Sequence, residues 1–181
     1  NTASGLSNCQ ITDYHNSYVV AKVSNAAFSD VAYTSFESDG TGSWTIPSSL
    51  RDQTSAITGK QSYNLSNGAI SKSGLSSGVT YIISGWAKSG ATLYANGANI
   101  TSLIISSHKG WNFYSQSISA ITTITISGSG LIDELRLYPK DANMITYTYD
   151  PIVGVTSMCD ANNTIIYNEY DGLNRLKLVR D

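Results

Sequence analysis

Two consecutive stretches near the C-terminus share one pattern, and this repeat constrains the fold more than any other feature of the chain. The copies span residues 145–160 and 166–181, and the Tyr-Asp pair at 149–150 recurs 21 positions later at 170–171. Each copy has a β-branched and aromatic run, a Tyr-Asp turn and a second apolar run, which predicts a β-hairpin. A lone hairpin cannot bury its apolar face, so both copies must pack on the rest of this chain or on another chain.

The remainder of the chain has the pattern of an all-β protein. Short β-branched and aromatic runs are separated by Gly, Asn and Ser, and Asn96-Gly97 is typical of a two-residue hairpin turn. Helical patterns do not alternate with these runs, which favours an antiparallel sandwich or barrel over a parallel α/β fold. The runs that we predict as strands are 11–23, 32–37, 59–65, 69–72, 80–87, 93–95, 99–106, 111–119, 122–127 and 131–138.

Three regions follow from this pattern. We expect an N-terminal strand arm at 1–30, a β-sandwich at 31–140 and two hairpins at 141–181. Only residues 47–57 could hold a helical turn. The last sandwich strand has two possible inward sets, and we expect the more apolar one, with Asp133 near the rim. The expected inward set is Leu131, Asp133, Leu135 and Leu137, and the alternative is Ile132, Glu134, Arg136 and Tyr138.

The second hairpin copy resembles the YD repeats of bacterial RHS-type cell-surface proteins. Residues 170–176 are similar to the family core Y-D-x-x-G-R-L, with Asn174 where Gly is usual. Asn tolerates a positive φ better than most residues, so this change is physically mild. The first copy departs further, with Pro151, Val153 and Gly154 in the same frame.

The sandwich region resembles a jelly-roll carbohydrate-binding module. Residues 32–44 are similar to the first strand and loop of these modules, and residues 131–139 to their last strand. The whole order resembles a β-sandwich inserted beside YD repeats in surface proteins of Bacteroidetes-type bacteria. The resemblance implies a jelly-roll-like antiparallel β-sandwich with flanking YD-repeat hairpins, extracellular or at the cell surface, without catalytic activity.

Composition narrows the classes of partner. Charged residues make up 13% of the 181 residues and the formal net charge is −2, so the chain lacks the basic surface that nucleic acid requires. No apolar run is long enough to span a membrane. Ser, Thr, Gly and Asn dominate the polar positions, and a weakly charged surface suits close packing of copies or contact with sugars.

The two cysteines allow two interpretations. A disulfide between Cys9 and Cys159 would tie the N-terminal arm to the first hairpin, as suits a secreted protein. Two separate buried thiols are the alternative, because connectivity cannot be derived from sequence.

Residues with catalytic potential are few, and we predict that the chain is not an enzyme. Neither His15 nor His108 has a sequence partner that suggests a triad, and no phosphate-binding loop occurs. Among the acidic residues, the resemblance implies that Glu37 and Asp133 could help to hold a structural calcium ion. Ordinary solvated carboxylates are the alternative, and we expect no other cofactor.

Sugar binding would require an exposed aromatic platform. Trp86 lies within an apolar strand and Trp111 resembles a buried aromatic at the start of a strand, whereas Trp44 follows a Gly-rich turn. Trp44 is therefore the candidate glycan contact. The alternative is that all three tryptophans are in the core.

Two functions remain. The chain could be a structural subunit of a surface fibre, in which a flanking strand of one copy pairs with the sheet edge of the next, as a head-to-tail homopolymer. It could instead be an adhesion module that binds glycans within a larger RHS-type surface protein. The side chains that we expect at contacts between copies are Tyr14, Tyr18, Val19, Val23, Tyr147, Tyr149, Asp150, Tyr167, Tyr170, Asp171 and Leu176.

Overall fold

The computed structural model describes residues 7–181, which form sixteen strands in three antiparallel sheets. Its helical turns are the short 3-10 turns Phe28–Asp30 and Leu65–Asn67. Residues 47–57 form no helical turn, so that expectation is wrong. None of the helices in this described part is long and apolar enough to cross a membrane.

Two of the sheets form a sandwich, as predicted. The central sheet contains, in spatial order, β3 (Ala32–Thr34), β12 (Leu131–Pro139), β6 (Tyr81–Lys88), β10 (Trp111–Ile118) and β9 (Ile104–His108), with β4 (Tyr63–Asn64) paired to β12. The outer sheet contains β5 (Ile70–Ser73), β11 (Thr123–Ser129), β7 (Thr92–Ala95) and β8 (Ala98–Asn99). The chain crosses between these two sheets six times from β4 to β12, while the consecutive pairs β7–β8 and β9–β10 each stay within one sheet.

The third sheet joins the two flanks of the chain, and we call it the terminal sheet. Its strands in spatial order are β1 (Asn8–Asp13), β2 (Tyr18–Ser24), β13 (Asn143–Asp150), β14 (Gly154–Cys159), β15 (Ile165–Tyr170) and β16 (Leu176–Arg180). The two repeat copies form successive antiparallel hairpins, β13–β14 and β15–β16. The N-terminal arm is part of this sheet because β2 pairs with β13 of the same chain.

The N-terminal arm is a hairpin rather than the single strand predicted for residues 11–23. Tyr14, His15 and Asn16 all have positive φ, between 54° and 61°, and they reverse the chain between β1 and β2. Tyr rarely adopts this conformation, and the run lacks the Gly and Pro that usually mark a turn, so the reversal at Tyr14 was not predicted. At Asn96-Gly97 the signal is the usual one, and the predicted two-residue turn is confirmed by φ values of 48° and 80° between β7 and β8.

The central sheet is buried on both faces except at its edge strand β9, which makes the molecule three sheets thick. One face packs on the outer sheet around Tyr114, Ile124, Ile126 and Leu137. The other face is covered by the terminal sheet, whose Val20, Val23 and Met144 meet Val31 and Tyr33. Farther along the same face, Trp86 and Trp111 pack on Cys159 and Ile165. The apolar side of the first repeat hairpin is therefore covered within the chain, whereas β16 of the second hairpin stays exposed.

A one-residue bulge in β12 changes the predicted inward set. Asp133 pairs with Trp86, whereas Arg136 pairs with Ser84, so three steps on β12 oppose two on β6. Glu134 is the extra residue, with φ 53°. Leu135 and Leu137 lie in the sandwich core as predicted, but Ile132 takes the place expected for Asp133. The carboxylate of Asp133 is fully buried on the opposite face rather than near the rim.

Candidate functional site: the seam between the central and terminal sheets

The bulge in β12 places a carboxylate, that of Glu134, between the two sheets. This side chain is 1% exposed, and Oε1 accepts hydrogen bonds from the hydroxyls of Tyr33 (2.6 Å) and Thr58 (2.9 Å). Oε2 accepts from Thr146 of β13 (2.9 Å) and from the Arg136 guanidinium (3.0 Å). Both oxygens are therefore occupied, as a buried carboxylate requires.

Arg136 completes this network from the same face of β12. Its guanidinium is 2% exposed, and it donates to the Thr146 hydroxyl (2.7 Å) and to the backbone carbonyl of Asp160 (3.2 Å). Burial alone would lower the pKa of Arg136, but Cys159 and Glu134 raise it above its ordinary value. The ion pair therefore connects the central sheet to β13 and to the β14–β15 turn.

Asp133 fixes the loop that passes over this end of the sheet. Oδ2 accepts the backbone N–H groups of Ile57 (2.9 Å) and Thr58 (3.1 Å), and Oδ1 accepts that of Glu134 (2.7 Å). Burial raises the pKa of Asp133 well above its ordinary value, and the nearby Glu134 charge adds to the rise.

Glu37 is the acidic group at the outer end of the seam. Its half-buried carboxylate accepts the backbone N–H groups of Lys60 (2.8 Å) and Gln61 (2.5 Å), and a Cβ on Gly59 would lie 2.2 Å from it. The Lys60 ammonium in turn pairs with Asp150 of β13 at 2.7 Å. Glu37 thus holds the loop around Lys60, and this loop contacts the first repeat hairpin through the ion pair of Lys60 with Asp150.

The calcium expectation gains no support from this geometry. Peptide N–H donors face Oε1 of Glu37 and both oxygens of Asp133, and a cation would compete with these donors for the same oxygens. Within residues 7–181, no group of three or more acidic, His or Cys side chains could hold a metal ion. Calcium binding stays a prediction, and chelator has to lower the melting temperature for it to stand.

Glu37 predicts a pH dependence of stability. Burial raises its pKa from 4.5 to about 7, despite the two backbone hydrogen bonds that lower it. Because the folded state binds the proton more tightly, this group stabilises the fold most below pH 4.5 and loses that effect as pH rises through 7. This rise in the pKa of Glu37 corresponds to at most about 3 kcal/mol in the free energy of unfolding.

We expect Glu37→Gln to remove this dependence of stability on pH. At pH 8 the variant should unfold at a higher denaturant concentration than the wild type. Chemical unfolding curves between pH 4 and 8 would measure it, with the exposed Asp39→Asn as the matched control. Parallel pH profiles for the wild type and Glu37→Gln would contradict the assignment.

The cysteines are far apart, so of the two interpretations the disulfide does not hold. Both thiols are free: Cys9 lies on the edge strand β1, and Cys159 lies on β14, three positions along the terminal sheet. Three strand spacings amount to about 14 Å, whereas a disulfide needs Cα atoms within about 7 Å. The alternative of two separate thiols holds, and burial raises the pKa of Cys159 to about 12.

Three of the predicted contact tyrosines form an aromatic cluster within the chain. Tyr18 stacks on Tyr149 at a centroid distance of 4.6 Å, and Tyr14 meets both rings edge-on. The Tyr14 hydroxyl donates to the Tyr149 carbonyl (2.9 Å), and the Tyr149 hydroxyl donates to the carbonyl of Val19 (2.8 Å). This cluster joins the N-terminal hairpin to the first repeat copy.

The other predicted contacts of the N-terminal arm and the first copy also face the rest of this chain. Val23 is 2% exposed in the seam, so its expected contact with a neighbouring copy is wrong: the face that carries it is covered by the central sheet. Tyr147 is half-buried, with the Lys22 ammonium 5.7 Å from its ring centroid. Asp150 forms the ion pair with Lys60 described above.

The second copy is less covered. Its tyrosine hydroxyls donate across the sheet, from Tyr167 to the Ile57 carbonyl (2.9 Å) and from Tyr170 to the Val155 carbonyl (2.8 Å). Asp171 closes the turn by accepting the backbone N–H of Arg175 at 3.0 Å. Leu176, in contrast, is 56% exposed.

Trp44 lies in the sandwich core, so its prediction as an exposed sugar platform is wrong. It is 3% exposed, and its Nε1 donates to the Leu135 carbonyl at 3.4 Å. The Gly-rich turn beside it folds inward because the Tyr33 backbone N–H donates to the Gly42 carbonyl. Trp86 and Trp111 are buried as well. The three indole rings thus follow the alternative that placed them all in the core.

Sequence reasoning missed the polar partners of the seam. Tyr33, Thr58 and Thr146 surround Glu134 from three separate segments of the chain. The one available signal was the run of charge in an otherwise apolar strand, Asp133-Glu134 followed by Arg136. Charged residues on both faces of a strand indicate either that one face is exposed or that the strand contains a bulge. In β12 the bulge explains the pattern.

Comparisons with protein-family models and with curated proteins found no match to this chain. The resemblance to YD-repeat surface proteins therefore rests on the repeat residues themselves.

Proposed function

We propose that this chain is a non-catalytic structural protein, extracellular or at the cell surface, that assembles by pairing of strands between neighbouring copies. The observation that carries the proposal is the outer edge of β16. All five of its residues are exposed, and they include Leu176, Leu178 and Val179. Exposed edge strands can pair with strands of other chains, and the charges of Lys177 and Arg180 on β16 would have to be accommodated in such a pairing.

The geometry of the terminal sheet favours a head-to-tail arrangement. β1 and β16 lie at its two opposite edges, and each has one hydrogen-bonded neighbour within the chain. Pairing of β16 with β1 of the next copy would continue one sheet from molecule to molecule. A heterologous contact of this kind produces a filament when its rotation does not close into a ring.

The seam supports a structural role over a catalytic one. The oxygens of Glu134 and Asp133 are occupied by protein donors, and neither carboxylate faces an open cleft. Such a network fixes the position of the terminal sheet on the central sheet, and this rigidity suits a subunit of an assembly. The surface location rests on the resemblance and on the weakly charged composition.

Sedimentation of the wild type and of a Leu178→Lys/Val179→Lys variant tests the proposal. We expect the wild type to form larger species as its concentration rises through the micromolar range. Burial of each apolar side chain contributes roughly 1.5–3 kcal/mol, so the double variant should weaken association at least a hundredfold. Lysine at the edge also repels an incoming strand.

The matched control is Ile105→Lys on β9, the exposed edge of the central sheet. We expect this variant to associate as the wild type does. A wild type that stays monomeric at micromolar concentration rules out the assembly, and equal loss of association in the β9 variant rules out β16 as the contact.

A further inference from the structure

The terminal sheet has a second face, which is turned away from the central sheet. Tyr147 of β13 pairs with Met158 of β14, and Met158 pairs with Ile166 of β15. Directly paired side chains share one face of a sheet, and their neighbours along each strand point to the other face. The neighbours Cys159 and Ile165 are buried against the central sheet, so the row of Tyr147, Met158 and Ile166 points away from it. We call this side of the terminal sheet the outward face.

The outward face is more apolar than the covered face at the centre of the sheet. Thr146, Thr148 and Ser157 lie on the covered face, and their hydroxyls are buried in hydrogen bonds. Tyr147 and Met158 lie between them in sequence and point outward. An antiparallel sheet with one solvated face normally places its apolar side chains inward and its polar ones outward. The reversed order in β13 and β14 indicates that a partner covers the outward face.

The rest of the described chain leaves this face open. Within residues 7–181, Ile145, Tyr147, Met158 and Ile166 are half-buried, and none of them belongs to the three buried clusters or packs against one. Val179 of β16 continues the same face and is 53% exposed. A contiguous apolar surface of this kind marks an interaction site.

The charge pattern favours a second copy of this chain as the partner. The outward positions of β13, β14 and β15 carry no charged side chain. Lys22 of β2 lies at the margin, with its ammonium 5.7 Å from the Tyr147 ring centroid. A partner recognised by charge would find no groups to pair with, whereas an uncharged apolar face is complementary to itself. The formal net charge of −2 leaves little repulsion between copies.

The size of the outward face sets the strength of such a contact. It extends over five strands, β2 and β13 to β16. At a spacing of about 4.8 Å and a length of about 20 Å, these strands cover roughly 500 Å² on each copy. Two copies would bury about 1,000 Å² in total, at the small end of specific interfaces. We therefore expect a weak and reversible association.

We propose that two copies of this chain pack through their outward faces as a two-fold dimer. Sheets that pack face to face lie about 10 Å apart and interdigitate their side chains, so Tyr147, Met158 and Ile166 of both copies lie in the interface. A contact that uses the same patch on both copies closes at two. The dimer goes beyond the proposed strand pairing, because it uses the face of the terminal sheet and not its edges β1 and β16.

Methyl signals in ¹H–¹³C spectra of the full chain test the dimer. The measurements use Leu178→Lys, which hinders pairing at the β16 edge. Leu178 is adjacent to Val179, so its side chain points to the side opposite the outward face. As the protein concentration rises from about 20 μM to about 1 mM, we expect the Met158 and Ile166 signals to shift along a saturable curve. Sedimentation of the same samples should show no species larger than two copies.

One further variant and its control locate the contact. Ile166→Lys, added to Leu178→Lys, should weaken the dimer at least about tenfold, because a symmetric contact loses the side chain twice. The matched control is Ile152→Lys in the β13–β14 turn, where the side chain is 80% exposed. This control should stay within about twofold of its parent. The methyl signals of Ile105, exposed on β9, should not shift with concentration.

The dimer is overturned if the Met158 and Ile166 signals do not depend on protein concentration, a result that requires no substitution in the outward face. It is also overturned if Ile166→Lys, with unchanged thermal unfolding, associates as its parent does. If vesicles of neutral phosphatidylcholine shift these signals and protein concentration does not, the face binds a lipid surface and the dimer is wrong. Edge pairing is measured on the wild type at micromolar concentration, below the range of the dimer, so the failure of either proposal leaves the other standing.

Discussion

Deletion of residues 1–25 is expected to destroy the cooperative fold, although the deleted segment contains neither the sandwich nor the repeats. The deletion removes Ile11, Val20 and Val23, which the terminal sheet buries against Val31 and Tyr33. Each lost apolar side chain contributes roughly 1.5–3 kcal/mol, so the total is about 5–9 kcal/mol. A whole domain is stable by about 5–15 kcal/mol.

Thermal unfolding followed by circular dichroism measures this effect, and an apolar dye should bind the uncovered face of the central sheet. The matched control is removal of residues 176–181, which deletes another edge strand of the same sheet. All residues of β16 are exposed, so this second truncation should cost about 1 kcal/mol or less. A truncated chain 26–181 that melts cooperatively near the wild-type temperature would show that the N-terminal hairpin is an appendage.

Arg136→Leu is expected to lower the free energy of unfolding by about 3–5 kcal/mol. The substitution leaves the Glu134 carboxylate buried without its cation, although the Tyr33 and Thr146 hydroxyls still donate to it. Breaking a buried pair costs far more than the pair itself contributes, because the remaining charge stays desolvated. Chemical denaturation at neutral pH measures the difference.

Two further variants test this reasoning. Arg175→Leu removes an exposed ion pair with Asp171 and should change stability by less than about 1 kcal/mol. Glu134→Gln combined with Arg136→Leu removes both charges and retains an amide oxygen for the hydroxyl donors, so it should recover at least half of the loss. If the double variant is as unstable as Arg136→Leu, the cost arises from packing and not from the unpaired charge.

The local structure of the repeats follows from sequence because it depends on neighbours along the chain. The Tyr-Asp spacing predicted two hairpins, and β13–β14 and β15–β16 form them. Asn174, at the position where Gly is usual in the YD core, has φ 60°, as its conformational tolerance predicted. Short strands separated by turn residues likewise predicted the antiparallel sandwich.

The seam does not follow from sequence, because each of its features depends on pairing between distant segments. The alternation of β12 predicts one buried face, and the insertion of Glu134 moves Asp133 to the face of Arg136, which the terminal sheet covers. Trp44 is exposed or buried according to how its Gly-rich loop folds on β12. The separation of the cysteines depends on strand order, which their positions in the chain do not specify.

The sequence by itself determined that this chain forms antiparallel β-structure with two successive repeat hairpins, since side-chain alternation and turn chemistry act over a few residues. Only the tertiary structure decided what covers those hairpins. They pack on the face of the central sheet that points away from the outer sheet, and β16 is left as an exposed edge. The physical reason is that an apolar face has to be buried but does not specify the surface that buries it. That surface is set by the strand order, by a single bulge and by the ion pair of Glu134 with Arg136.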